Sequence, residues 1–82
     1  MIYKFLTQEI SIASVANNVS NNQIVRVVNI TNSNNTLLVQ YANGVTYGSG
    51  SVLANSEIVV IKGTTDLLIG TGMVATAVAY KS

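Results

Sequence analysis

Nowhere in its 82 residues does this chain hold a 3.6-residue apolar period for ten positions, while β-branched residues recur in short runs of period two. That pattern excludes a helical core and leaves strands. Residues 9–15 alternate, with Ile10 and Ile12 on one face and Glu9, Ser11 and Ala13 on the other. From Gln23 to Thr31, Ile24, Val28 and Ile30 share a face with Arg26, while Val25 and Val27 share the opposite face with Asn29. Asn32-Ser33-Asn34-Asn35 is a turn cluster, and 36–42 reads as the antiparallel partner, so 23–42 is expected to form a hairpin.

Asn43-Gly44 signals a further turn, followed by Val45-Thr46-Tyr47, a mobile Gly48-Ser49-Gly50 and a short strand over 51–53. Ala54-Asn55 turns the chain into the strand 56–62, where Ile58 and Val60 oppose Val59 and Ile61. Gly63-Thr64-Thr65-Asp66 leads to Leu67-Leu68-Ile69, and Gly70-Thr71-Gly72 to the last strand, 73–81. The expected fold is all-β: a small antiparallel β-sandwich, jelly-roll or immunoglobulin-like, of about seven to eight short strands in one domain spanning 1–82.

Composition restricts function. There is no His and no Cys, and Glu9, Glu57 and Asp66 are the three carboxylates. Disulfides and a zinc site are thereby excluded, and nucleophilic catalysis has no imidazole base. The carboxylates sit beside turns or strand ends, where solvated acids are ordinary, so neither an enzyme nor a cofactor is expected. Gly48-Ser49-Gly50 and Gly70-Thr71-Gly72 contain G-x-G but open no helix, and read as strand connections. Asp66 with Thr64 and Thr65 is thin material for calcium. Lys4, Arg26, Lys62 and Lys81 are scattered and the net charge is +1, so no basic stripe for nucleic acid exists. Met1–Leu6 lacks a signal-peptide core and 67–80 is too short and glycine-broken for a spanning helix; synthesis in the cytosol with no membrane contact is expected.

Charged residues are 9% of the chain and hydrophobic ones 49%, more apolar surface than so short a chain hides alone. Copies of itself or other proteins are the expected cover, as a homo-oligomer or many-copy assembly. Strands 23–30 and 57–61 are apolar on both faces, which nominates Val25, Val27, Val59 and Ile61 as interface residues, with Met1, Tyr3 and Phe5 at the N-terminus. Ala75, Ala77 and Ala79 form a smooth stripe opposite Val74, Val78 and Tyr80. The stripe is either solvent-facing, packed tightly between sheets, or a flat surface for another chain. Tyr41 and Tyr47 flank Asn43-Gly44 and either pack across a hairpin or form a platform for a sugar or peptide.

The series "IVRVVNIT", "SVLANSEIVVIKGTTDLL" and "VATAVAY" resembles the small β-sandwich structural proteins of tailed bacteriophages, notably those of marine cyanobacterial viruses. The positions that carry the likeness are Arg26, Asn29, Glu57, Lys62, Thr65, Asp66, Val78, Ala79 and Tyr80, and it covers about two-thirds of the chain. The resemblance implies a virion structural protein, with a capsid decoration or cement protein bound in many copies to the major capsid protein as the leading reading. A tail, neck or baseplate component is the alternative within that class. A carbohydrate- or host-receptor-binding module and a cellular assembly or regulatory domain are the alternatives outside it.

Overall fold

The computed structural model describes residues 2–81, and for Ile2, Tyr80 and Lys81 the backbone alone. It is all-β, with eight strands: β1 Ile2–Phe5, β2 Ile10–Ser11, β3 Ile24–Asn29, β4 Asn35–Gln40, β5 Thr46–Val52, β6 Glu57–Ile61, β7 Leu67–Gly70 and β8 Met73–Lys81. They form two antiparallel sheets. Sheet I runs β1-β8-β3-β6, with β2 also paired to β8, and sheet II runs β5-β4-β7.

The core lies between the sheets. Val25 and Val27 from β3 and Ala75 and Ala77 from β8 meet Leu37, Val52 and Leu68 from sheet II, with Ile12 and Val19 closing one flank. Because strand side chains alternate, the inward set fixes the outward one: Ile24, Arg26 and Val28 on β3, Val74, Thr76 and Val78 on β8, and Glu57, Val59 and Ile61 on β6.

The expected hairpin over 23–42 does not form. β3 pairs with β6 and β8, whereas β4 pairs with β5 and β7, so residues 30–34 cross from one sheet to the other. Asn29 steers that crossing. It is fully buried, and its Nδ2 donates to the carbonyls of Ser33 (2.8 Å) and Val52 (3.0 Å) while its Oδ1 accepts from the Thr31 N–H (2.9 Å) and hydroxyl (2.7 Å). One side chain thus ties the end of β3 to β5 in the other sheet. The hairpin that does form joins β4 to β5 over Tyr41–Val45: the Tyr41 N–H donates to the Val45 carbonyl, the Gly44 N–H donates to the Tyr41 carbonyl, and Gly44 takes φ +89°. Gly48-Ser49-Gly50 is not a mobile link; with 46–47 and 51–52 it makes one continuous strand.

The 9–15 run is strand only at Ile10–Ser11. Beyond it the chain leaves sheet I and straps the flank of the sandwich. The Ile12 N–H donates to the Met73 carbonyl, the Gly70 N–H donates to the Ile12 carbonyl, and Asn17 bridges to Leu68. Val19, Ser20 and Asn21 then hold φ of 51°, 58° and 54°, an uncommon run of left-handed residues. Neighbouring amides stabilise it: Asn17 Oδ1 accepts from the Val19 N–H at 2.7 Å and Asn18 Oδ1 from the Asn21 N–H at 3.2 Å. Burial of the Val19 side chain supplies the rest.

Candidate interaction surface

The outward residues of sheet I make one surface. Ile24 and Val28 on β3, Val59 on β6 and Val74 on β8 are half-buried, Val78 is buried, and Phe5 and Ile61 are 60% and 80% exposed. At its centre stands Arg26, whose Nε donates to Glu57 and whose Nη1 lies 3.6 Å from Glu9. Its guanidinium sits 5.6 Å from the Phe5 ring centroid, a cation–π distance, and Phe5 meets Tyr3 edge-on at 5.8 Å. The Tyr3 hydroxyl donates to Glu57 at 3.5 Å. Burial alone would lower the Arg26 pKa, but the hydrogen bond and charge of Glu57 carry it above the ordinary arginine value. The cation is therefore permanent, and two carboxylates flank it, one more than its charge requires. An apolar face whose central cation is already paired within the chain suits contact with another protein better than contact with water.

Four nominated residues share this face: Tyr3, Phe5, Val59 and Ile61. Val25, Val27, Ala75 and Ala77 do not, and this is a correction. All four lie between the sheets at 0–1% exposure. The alanine stripe lets the sheets approach closely, and the Val74–Val78 side of β8 is the outward one. Ala79 is half-buried and pairs with Lys4 of β1. Met1 lies outside the described residues. Ile24, Val28 and Arg26 were not nominated, although the sequence holds a signal for them: a guanidinium sharing a face with Ile24 and Val28 marks that face as the one turned away from the core.

The carboxylates hold structural contacts. Glu9 and Glu57 flank Arg26, and Asp66 Oδ2 accepts from the Gly63 N–H at 3.1 Å and from the Tyr47 hydroxyl. Tyr41 and Tyr47 stack across the β4–β5 hairpin at 4.4 Å between centroids and 29° between planes, each spending one ring face on the other. Lys62 is 4% exposed, and its Nζ donates to the carbonyls of Gly63 (3.1 Å) and Thr64 (3.3 Å). Burial holds its pKa below the ordinary lysine value, partly offset by the charge of Asp66.

The Asp66 hydrogen bond holds the Tyr47 phenol above the ordinary tyrosine range. The folded chain thus favours the protonated phenol. Stability from this contact is complete below the unfolded-state pKa and is lost as pH rises through the folded-state value. Tyr47→Phe removes the contact at every pH. The gap between wild-type and Tyr47→Phe urea midpoints is therefore expected to be constant near neutrality and to shrink above about pH 10. A gap independent of pH up to 11 or so would show that the phenol proton is not shared with Asp66 in solution.

No protein-family model, curated protein or solved structure matches this chain.

Proposed function

We propose that this chain is a structural protein of a virion: a decoration protein that sits on an assembled capsid in many copies, with the outer face of sheet I against the shell. The observation that carries the reading is that face, apolar across β1, β8, β3 and β6 with Arg26 paired at its centre. Burying such a face contributes about 25 cal/mol per Å² of apolar area, and many identical copies turn modest contacts into firm occupancy. The viral setting and the capsid partner come from the resemblance of residues 24–80 to tailed-phage structural proteins; the physics of the face asks only for a protein partner.

The test is co-sedimentation with intact capsids of a tailed phage of that kind. Wild-type protein is expected to travel with the shells at a fixed number of copies per capsid. Phe5→Ser removes an exposed aromatic of the face without touching the core, so it should melt like wild type and bind shells about tenfold or more weakly. Wild-type protein that stays in the supernatant with intact shells would sink the capsid reading. Unchanged binding by Phe5→Ser would move the contact to another face.

A further inference from the structure

The sandwich is strapped on one flank and open on the other. On the strapped flank, residues 10–17 run from β8 to β7. On the open flank, β6 ends sheet I and β5 ends sheet II, and between them lies a cleft of about 350 Å³. Its walls include Leu37 and Val39 from β4, Ile58 and Val60 from β6, and Gly48 and Gly50 from β5.

The hydrogen-bond phase of β6 is fixed at both ends. The Asn29 N–H donates to the Ser56 carbonyl at 2.9 Å and the Lys62 N–H to the Gln23 carbonyl at 2.8 Å. Residues 56, 58, 60 and 62 therefore aim their backbone groups at β3, and Glu57, Val59 and Ile61 aim theirs outward, where no described strand pairs with them. Among the described residues nothing guards this edge: the chain has no proline, β6 pairs in unbroken register, Glu57 is bound to Arg26, and Lys62 is tucked inward.

The β5 glycines add an independent sign. Gly48 and Gly50 share the inward side of β5 with the buried Val52. Neither has a positive φ, and a Cβ on either would meet nothing within 4 Å. The fold of one chain does not need glycine there, and glycine inside a strand weakens it. Such positions mark close approach by another backbone or ligand.

We infer that the open flank is a self-association site, where β6 of a second copy pairs antiparallel with β6 about a two-fold axis at Val60. Deepening the many-copy reading above, this names the first partner as another copy of the chain. In that register Val59 lies opposite the partner's Ile61 and Ile61 opposite the partner's Val59. Each pair exchanges both main-chain bonds, and the 80%-exposed Ile61 gains an apolar neighbour. The partner's Ile58 and Val60 then extend the inner face of sheet I over the floor that Gly48 and Gly50 leave open. A second copy supplies both needs from one strand, because β6 is apolar on both faces: Val59 and Ile61 meet on the outer side while Ile58 and Val60 roof the glycine floor on the inner side.

Sedimentation velocity of the full chain over a concentration series tests this. The wild type is expected to pass from 8.6 kDa to twice that mass as concentration rises. Val59→Pro removes an outward N–H that the fold does not use, so it should keep its circular dichroism spectrum and dimerise about tenfold or more weakly. Should the proline variant fail to fold, Gly50→Val decides: its side chain enters open cleft, leaving the fold intact and weakening the dimer by a similar factor. A wild type that stays at 8.6 kDa throughout, or undiminished dimerisation by folded Val59→Pro or by Gly50→Val, overturns the inference. A chain that binds shells as a monomer overturns this inference alone. A dimer that ignores shells overturns only the capsid reading.

Discussion

Ala77→Arg is expected to give a chain with no cooperative unfolding transition, recovered as aggregate. Ala77 is 1% exposed, and its methyl faces the second sheet. A guanidinium there has no carboxylate within the core to pair with, and an unpaired buried charge costs several kcal/mol after relaxation. A domain of this size is stable by only about 5–15 kcal/mol, and overpacking adds strain to the electrostatic cost. Circular dichroism and a urea titration decide the matter. A soluble Ala77→Arg protein with a wild-type midpoint would put the alanine stripe on the surface and overturn the packing described above.

Asn29→Ala should destabilise the fold by about 3 kcal/mol while leaving it folded. The change strands the Val52 carbonyl and the Thr31 N–H, leaves the Ser33 carbonyl with the Thr31 hydroxyl alone, and cuts the link between β3 and the other sheet. Equilibrium urea unfolding reads this directly, since the midpoint falls while the slope holds. Thr31→Val is the companion measurement: it removes the hydroxyl's bonds to Asn29, Ser33 and Asn35 at a half-buried site and should cost about 1 kcal/mol. A loss in Asn29→Ala no larger than in Thr31→Val would show that the amide is not what holds the crossing.

Local features of the fold were legible because local chemistry sets them. Asn43-Gly44, Ala54-Asn55, 63–66 and 70–72 all turn the chain where their residues say they should, and β6 and β8 follow from β-branched runs, whereas β5, with Gly48-Ser49-Gly50 at its centre, carries no such signal. Strand partnership was not legible. Residues 36–42 are as good a neighbour for β3 as β6 or β8 when only spacing is considered, and the deciding group, the Asn29 amide, acts on carbonyls four and 23 positions away.

Facing was half legible. On β3 both sides are rich in valine and isoleucine, so hydrophobicity cannot choose between them; the polar residue on each side can. An amide can be satisfied inside a protein by four neighbours, as Asn29 is, whereas Arg26 needs its carboxylates and stays at the surface. Weighing Arg26 against Asn29 would have reversed the choice of Val25 and Val27. The same choice on β8 turned on size, since only small side chains let two sheets close over a thin core.

The place of β8 has a consequence for how the molecule comes into being. This strand, the latest in chain order, is an inner strand of sheet I, bonded to β1 and β2 on one side and β3 on the other. During synthesis β1 and β2 emerge with no partner and wait until β3 to β7 and then β8 have followed. The β3–β6 pair can form beforehand, but its apolar surfaces stay open to water. Completion is a long-range event, slow by topology and exposed to misassociation while it is pending. Shortening the chain within β8 would therefore remove more than one strand: it would leave β1 and β2 without any sheet to join.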